Sequence, residues 1–139
     1  MTGYGKRVLI AEDEQDQRTW LGVVLESAGY SVHVACNGRH ALEEMKRRRF
    51  DAVVTDDRMP HIDGFQLLLL GRLVWPETPM ILLSSEDATL SDMVEQGEAR
   101  RCLRKPYDAG DLLKVIETAI ETGGERRSHT SGSMALSLR

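Results

Sequence analysis

Short apolar runs alternate with longer stretches of helical period along most of this chain, and that alternation constrains the fold more than any single residue does. Val8-Leu9-Ile10-Ala11, Ala52-Val53-Val54-Thr55 and Met80-Ile81-Leu82-Leu83 are nearly continuous apolar runs of strand length. Such runs suit strands covered on both faces. Two weaker strands are expected over 30–35 and 102–103. Between them, residues 17–28 carry Leu21, Val24, Leu25 and Ala28 on one face, and residues 40–49 carry Ala41, Leu42 and Met45. Residues 109–121 carry Leu112, Leu113, Val115, Ile116, Ala119 and Ile120. These are amphipathic helices by spacing. Further helices are expected over 65–74, stopped at Trp75-Pro76 because the residue before proline avoids the helical region, and over 87–96, where apolar positions are few.

Strands that alternate with helices imply a parallel sheet with helices on both faces. Right-handed crossovers leave few topologies. Five β/α units fit a doubly wound five-stranded parallel α/β sheet of order 2-1-3-4-5, a flavodoxin-like three-layer sandwich. The 139 residues favour one domain, expected over 1–122. The Gly-, Ser-, Arg- and Thr-rich segment 123–139 is expected to be a flexible C-terminal tail.

Composition removes several classes of function. The net charge is -4, so the chain as a whole is not expected to bind nucleic acid. No run approaches the roughly 20 apolar residues that span a bilayer, and Met1-Thr2-Gly3-Tyr4-Gly5-Lys6-Arg7 has no secretory pattern. A cytoplasmic protein is therefore expected. Cys36 and Cys102 lack metal-ligand spacing and are read as reduced core thiols. Trp20 and Trp75 are read as packing residues, and Asp63 before Gly64 as a helix cap. The run Lys46-Arg47-Arg48-Arg49 reads as a solvated helix end that complements the helix dipole.

In a doubly wound sheet, ligands sit outside the carboxyl ends of the strands. Glu12 and Asp13 follow the first expected strand, Asp56 and Asp57 the third, Ser84 and Ser85 the fourth, and Lys105 the fifth. Clustered carboxylates repel one another unless a cation neutralises them. A small set of hard oxygen donors suits magnesium, which often shares its shell with phosphate. A lysine and a serine hydroxyl beside them can engage phosphoryl oxygens. The combination points to phosphoryl handling with an aspartate nucleophile. A flavin or nucleotide module on the same fold would instead place a glycine-rich loop after the first strand, whereas Glu12-Asp13-Glu14-Gln15-Asp16 is acidic and glycine-free.

Four segments, in order, resemble the CheY-like receiver domains of two-component response regulators. They are Val8 to Glu14, Asp51 to Gly64 with its Asp56-Asp57-Arg58-Met59-Pro60 core, Pro79 to Ser85, and Leu103-Arg104-Lys105-Pro106-Tyr107. The resemblance covers about residues 6–121. It implies that Asp56, four residues before Pro60, is the phosphoacceptor. It implies Mg²⁺ held by Glu12, Asp13, Asp56 and the backbone carbonyl of Arg58. It further implies Ser84 and Lys105 on the phosphoryl group, and a cis peptide at Lys105-Pro106. The same resemblance implies a phosphorelay switch rather than an enzyme, with at most self-catalysed phosphotransfer and autodephosphorylation; with no helix-turn-helix pattern after Glu121, a stand-alone receiver is expected. Its partners would be a histidine kinase or histidine phosphotransfer protein and a downstream effector protein. Direct DNA binding and membrane attachment are not expected. A homodimer would use the face made by the fourth helix, fifth strand and fifth helix.

This chain departs from the family pattern in places. Cys102 stands where many members carry the aromatic ring that rotates with the switch hydroxyl. The stretch from Ser84 to Lys105 is a residue short. Arg100, Arg101 and Arg104 make the output face basic, which favours an acidic partner. Arg58 and Glu86 flank the expected path of the hydrolytic water and are expected to form an ion pair across it.

Overall fold

The computed structural model describes residues 3–137. Five strands, β1 (Arg7–Ala11), β2 (Ser31–Ala35), β3 (Ala52–Asp56), β4 (Met80–Ser84) and β5 (Cys102–Arg104), alternate with helices. The helices are α1 (Gln15–Ser27), α2 (Gly38–Arg47), α3 (Gly64–Val74), α4 (Asp87–Glu95) and α5 (Ala109–Ser137), and one 3-10 turn, Ala99–Arg101, precedes β5. The strands pair in parallel in the order β2-β1-β3-β4-β5. This is the doubly wound, flavodoxin-like sheet that the apolar pattern predicts.

The sheet sorts its side chains by the two-residue period of a strand. Val8, Ile10, Ala52, Val54, Ile81 and Leu83 face α1 and α5, where they meet Leu21, Leu25, Leu112 and Ile116. Leu9, Ala11, Val53, Met80 and Leu82 face the other way, onto Ala41, Met45, Leu67, Leu68 and Met93. β3 and β4 are buried along their whole length, because helices cover both faces. Each of the leucines and isoleucines closed off from solvent contributes about 1.5–3 kcal/mol relative to exposure. Trp75 packs against the second cluster, and the Trp20 ring lies 5.9 Å from that of Tyr107; both are packing residues, as expected.

Local sequence fixes the helix starts that matter for the site. Asp63 caps α3 in a reciprocal box with Gln66, at 2.8 Å and 3.0 Å. Gly64 brings α3 so close beneath the end of β3 that a Cβ would collide with the Asp56 carbonyl. Asn37 caps α2 through the His40 amide at 2.8 Å. Gly97 turns the chain after α4 with φ +73°, the left-handed region that glycine enters freely.

Cys36 and the end of α5 differ from expectation. Cys36 is exposed rather than in the core, because it lies one residue beyond β2, an edge strand. Helix α5 extends to Ser137, past the end expected at 121. The backbone is therefore helical across the expected boundary at residue 122 and through most of the expected tail. Residues 138 and 139 of that tail, like residues 1 and 2, lie outside the described residues.

Candidate functional site

Parallel register delivers the polar residues to one edge of the sheet. β1 ends at Ala11, so Glu12 and Asp13 emerge beside the end of β3, where Asp56 is the last strand residue. Asp56 aligns with Leu83 and Ser84 with Arg104, which brings Ser84 and Lys105 to the same edge.

The carboxylates of Glu12, Asp13 and Asp56 each place an oxygen within 4.8 Å of the other two. Glu12 and Asp56 are 4% and 6% exposed, whereas Asp13 is open to solvent. Glu12 is held firmly. Its amide donates to the Ala35 carbonyl at 3.0 Å, its carboxylate accepts from the Glu14 amide at 3.0 Å, and its carbonyl accepts from the Arg18 guanidinium at 2.7 Å. Burial pushes the Glu12 carboxyl up to about 7, with the Asp56 charge and a hydrogen bond to Asp13 adding to the rise and the Glu14 amide opposing it. A cation held among these carboxylates would offset that repulsion.

Lys105 forms an ion pair with Asp56 Oδ1, and its amide donates to the Ser84 carbonyl at 3.0 Å. The Lys105-Pro106 bond is cis, as the resemblance implies. Burial works against the Lys105 charge, but the hydrogen bond and charge of Asp56, with Glu12 and Asp57 behind it, raise its pKa on balance. Burial, with the charges of Glu12 and Asp56, pushes Tyr107 up to about 12. The other Asp56 oxygen accepts from the Arg58 amide at 3.2 Å. Above the site, Arg58 and Glu86 form the expected ion pair.

Ser84 is engaged in a way that the sequence did not suggest. Its hydroxyl donates to Asp57 Oδ2, not to Asp56, and accepts from the Glu86 amide at 2.9 Å. Asp57 is itself only 8% exposed, and its amide donates to the Leu83 carbonyl at 3.1 Å. The register contained the signal: with Asp56 beside Leu83, the next residue of each strand, Asp57 and Ser84, must also be neighbours. A hydroxyl has one proton to donate. In this state it is committed to Asp57.

The face near β5 is less basic than expected. Arg101 is buried, at 5% exposure, and Arg104 is ion-paired with Asp87 at 2.9 Å. Cys102 is half-buried, its thiol donating to the Ala99 carbonyl at 3.2 Å, and burial pushes its pKa up.

Three close carboxylates, one of them open to solvent, fit a hard divalent cation that keeps part of its water shell. Glu12, Asp13 and Asp56 would hold it. Among the described residues this is the one such acidic group.

Comparison with known proteins gives a consistent result. The model of the response regulator receiver domain matches residues 8–117. The response regulator receiver protein CpdR of Brucella abortus is 33% identical over 116 residues, a match covering 83% of this chain and 97% of that protein. Other curated relatives, regulatory proteins by name, are longer, and the chain spans 47% or 25% of their length. The chemotaxis response regulator CheY4 of Vibrio cholerae superposes with a TM-score of 0.74 at 29% identity, over 83% of this chain and 98% of that one. The receiver domain of the Pseudomonas aeruginosa sensor histidine kinase PA1611, described with a magnesium ion in its active-site cleft, gives 0.73 at 27% identity, over 84% and 98%.

Proposed function

The chain belongs to the response regulator receiver domain family, and from that membership we propose that Asp56 is its phosphoacceptor. Receiver domains belong to two-component signalling and act as phosphoacceptor switches rather than classical enzymes. The observation that carries the assignment is the environment of Asp56. It is a buried carboxylate with Lys105 on one oxygen and Glu12 and Asp13 within cation-sharing distance.

In the proposed reaction, a histidine kinase or histidine phosphotransfer protein presents phosphohistidine. An Asp56 carboxylate oxygen attacks phosphorus in line; the new O–P bond forms as the P–N bond to imidazole breaks. Mg²⁺, when bound, offsets charge on the phosphoryl oxygens. Glu12, Asp13 and Asp56 would supply its carboxylate ligands, and the Arg58 carbonyl a further one. Lys105 stays cationic throughout and stabilises the same oxygens. Ser84 leaves Asp57 and donates to the phosphoryl group, which shifts the population of the output face toward its partner-binding form. The domain's own part in catalysis is limited to self-phosphorylation from a donor and autodephosphorylation by water. The Arg58–Glu86 pair lies over the approach of that water and slows it.

The chain is proposed to work as a stand-alone receiver in the cytoplasm, signalling through an effector protein and able to dimerise through the α4-β5-α5 face. The near-complete coverage of a receiver protein supports this. So does a net charge of -4, which disfavours direct DNA binding. No helix among the described residues is long and apolar enough to cross a membrane. The test is Mg²⁺-dependent labelling with acetyl phosphate, read by intact mass. The proposal predicts a single phosphoryl adduct on the wild type that disappears in Asp56→Asn.

A further inference from the structure

The run Lys46-Arg47-Arg48-Arg49, read from sequence as a solvated helix end, has a second role in the fold. It forms one wall of a cavity of about 600 Å³. The opposite wall is Val74, Trp75, Pro76, Glu77 and Thr78, with Met45 and Phe50 between. These residues lie at the end of α2, the end of α3 and just before β3 and β4. The cavity therefore opens at the starts of the strands, on the edge of the sheet opposite Asp56.

Its charge is not balanced. Arg47 and Arg48 share one carboxylate, Glu44, at 3.5 Å and 3.7 Å. The Arg48 Nε is buried without a hydrogen-bond partner. Lys46 and Arg49 have no side-chain partner among the described residues. Four cations thus meet two carboxylates, Glu44 and Glu77, in a protein of net charge -4. The dipole at the end of α2 accounts for Lys46 and Arg47, which lie in its last turn. It does not account for Arg49, two residues beyond the helix, or for the aromatic wall.

We propose that this cavity binds a nucleoside diphosphate. Lys46 and Arg49 would hold the phosphates, Arg49 through the two-pronged geometry that suits phosphate oxygens. The half-buried Trp75 would provide a face for the base, the sequence-tolerant stacking used elsewhere for single bases. A volume of about 600 Å³ falls within the roughly 300–1,000 Å³ of small-molecule sites, whereas an acidic peptide would need a longer groove. The proposal is independent of the phosphoacceptor assignment.

The test titrates ADP into the full chain carrying Trp20→Phe, so that Trp75 alone reports by fluorescence. EDTA is present to keep nucleotide and cation away from the acidic edge. Saturable quenching with a Kd of about 0.1 mM or tighter is expected, displaced by pyrophosphate. Lys46→Ala/Arg49→Ala should weaken it at least about tenfold, since two charge-assisted contacts are lost. The control Arg39→Ala/Arg100→Ala, which removes the same charge from exposed positions away from the cavity, should leave it unchanged. The proposal is overturned if ADP gives no saturation up to about 5 mM. It is equally overturned if adenosine binds as tightly as ADP, if both double variants behave alike, or if a glutamate-rich peptide quenches Trp75 where ADP does not.

Discussion

The two edges of the sheet carry opposite charge. At the strand ends, Glu12, Asp56 and Asp57 all act on the charge of Lys105, and Asp13 lies beside Glu12 and Asp56. At the strand starts, four consecutive cations meet two carboxylates. The net charge of -4 describes neither edge. The edges also differ in organisation. The acidic residues sit on or directly after strands, so the backbone ladder fixes them, and Glu12 and Asp56 are buried with named partners. The basic residues sit in a helix end and a loop, and two of them have no partner among the described residues. A fixed site suits chemistry that needs its charges positioned beforehand. An open, unpaired one suits recognition.

The largest effect is expected from removing Lys105, the cation paired with Asp56. Lys105→Ala should slow labelling by acetyl phosphate about a hundredfold or more, as loss of a preorganised charge contact does. Lys46→Ala/Arg49→Ala should leave the labelling rate unchanged; an effect there would mean that the two edges are coupled.

A smaller effect comes from acidity. In the folded, metal-free protein the Glu12 carboxyl titrates near 7, against 4.5 for the free group. The folded state therefore binds this proton more tightly than the unfolded state. The stabilising contribution is fully present below pH 4.5 and is lost as pH rises through 7. Denaturant unfolding in EDTA should show the metal-free protein more stable at pH 5.5 than at pH 7.5 by about 1–3 kcal/mol. Glu12→Gln should flatten that dependence, and saturating Mg²⁺ should reverse it. Asp13→Asn, which removes the solvent-facing carboxylate proposed as a ligand, should weaken Mg²⁺ binding by about tenfold.

The smallest effect concerns the Arg58–Glu86 pair. Its Arg58 side chain is 77% exposed, and such pairs contribute about 0.2–1 kcal/mol. Arg58→Ala should therefore shorten the acyl-phosphate half-life by no more than about fivefold. An unchanged half-life would remove the pair from the account.

The sheet order and the acidic edge were legible in the sequence because both follow from position along the chain. Continuous apolar runs give buried parallel strands, and polar residues directly after them must emerge at one edge. The Arg58–Glu86 pair was legible for the same reason. The Asp57–Ser84 contact was not, because it depends on the register between β3 and β4, which strand patterns alone do not set. Arg101 reads as a surface cation but is buried by the turn before β5. Cys36 reads as a core thiol but falls just past an edge strand. The end of α5 was missed because glycine and serine carry weak helix propensity. The basic cavity needs the ends of α2 and α3 side by side, a tertiary fact with no local sequence signature.

Asp56 and Asp57 are adjacent, both buried, and engaged by different partners, Lys105 and Ser84. Intact-mass labelling with acetyl phosphate and Mg²⁺ separates them. If Asp56 is the acceptor, the wild type takes one phosphoryl adduct, Asp56→Asn takes none, and Asp57→Asn retains it. An adduct that persists in Asp56→Asn and vanishes in Asp57→Asn would contradict that assignment.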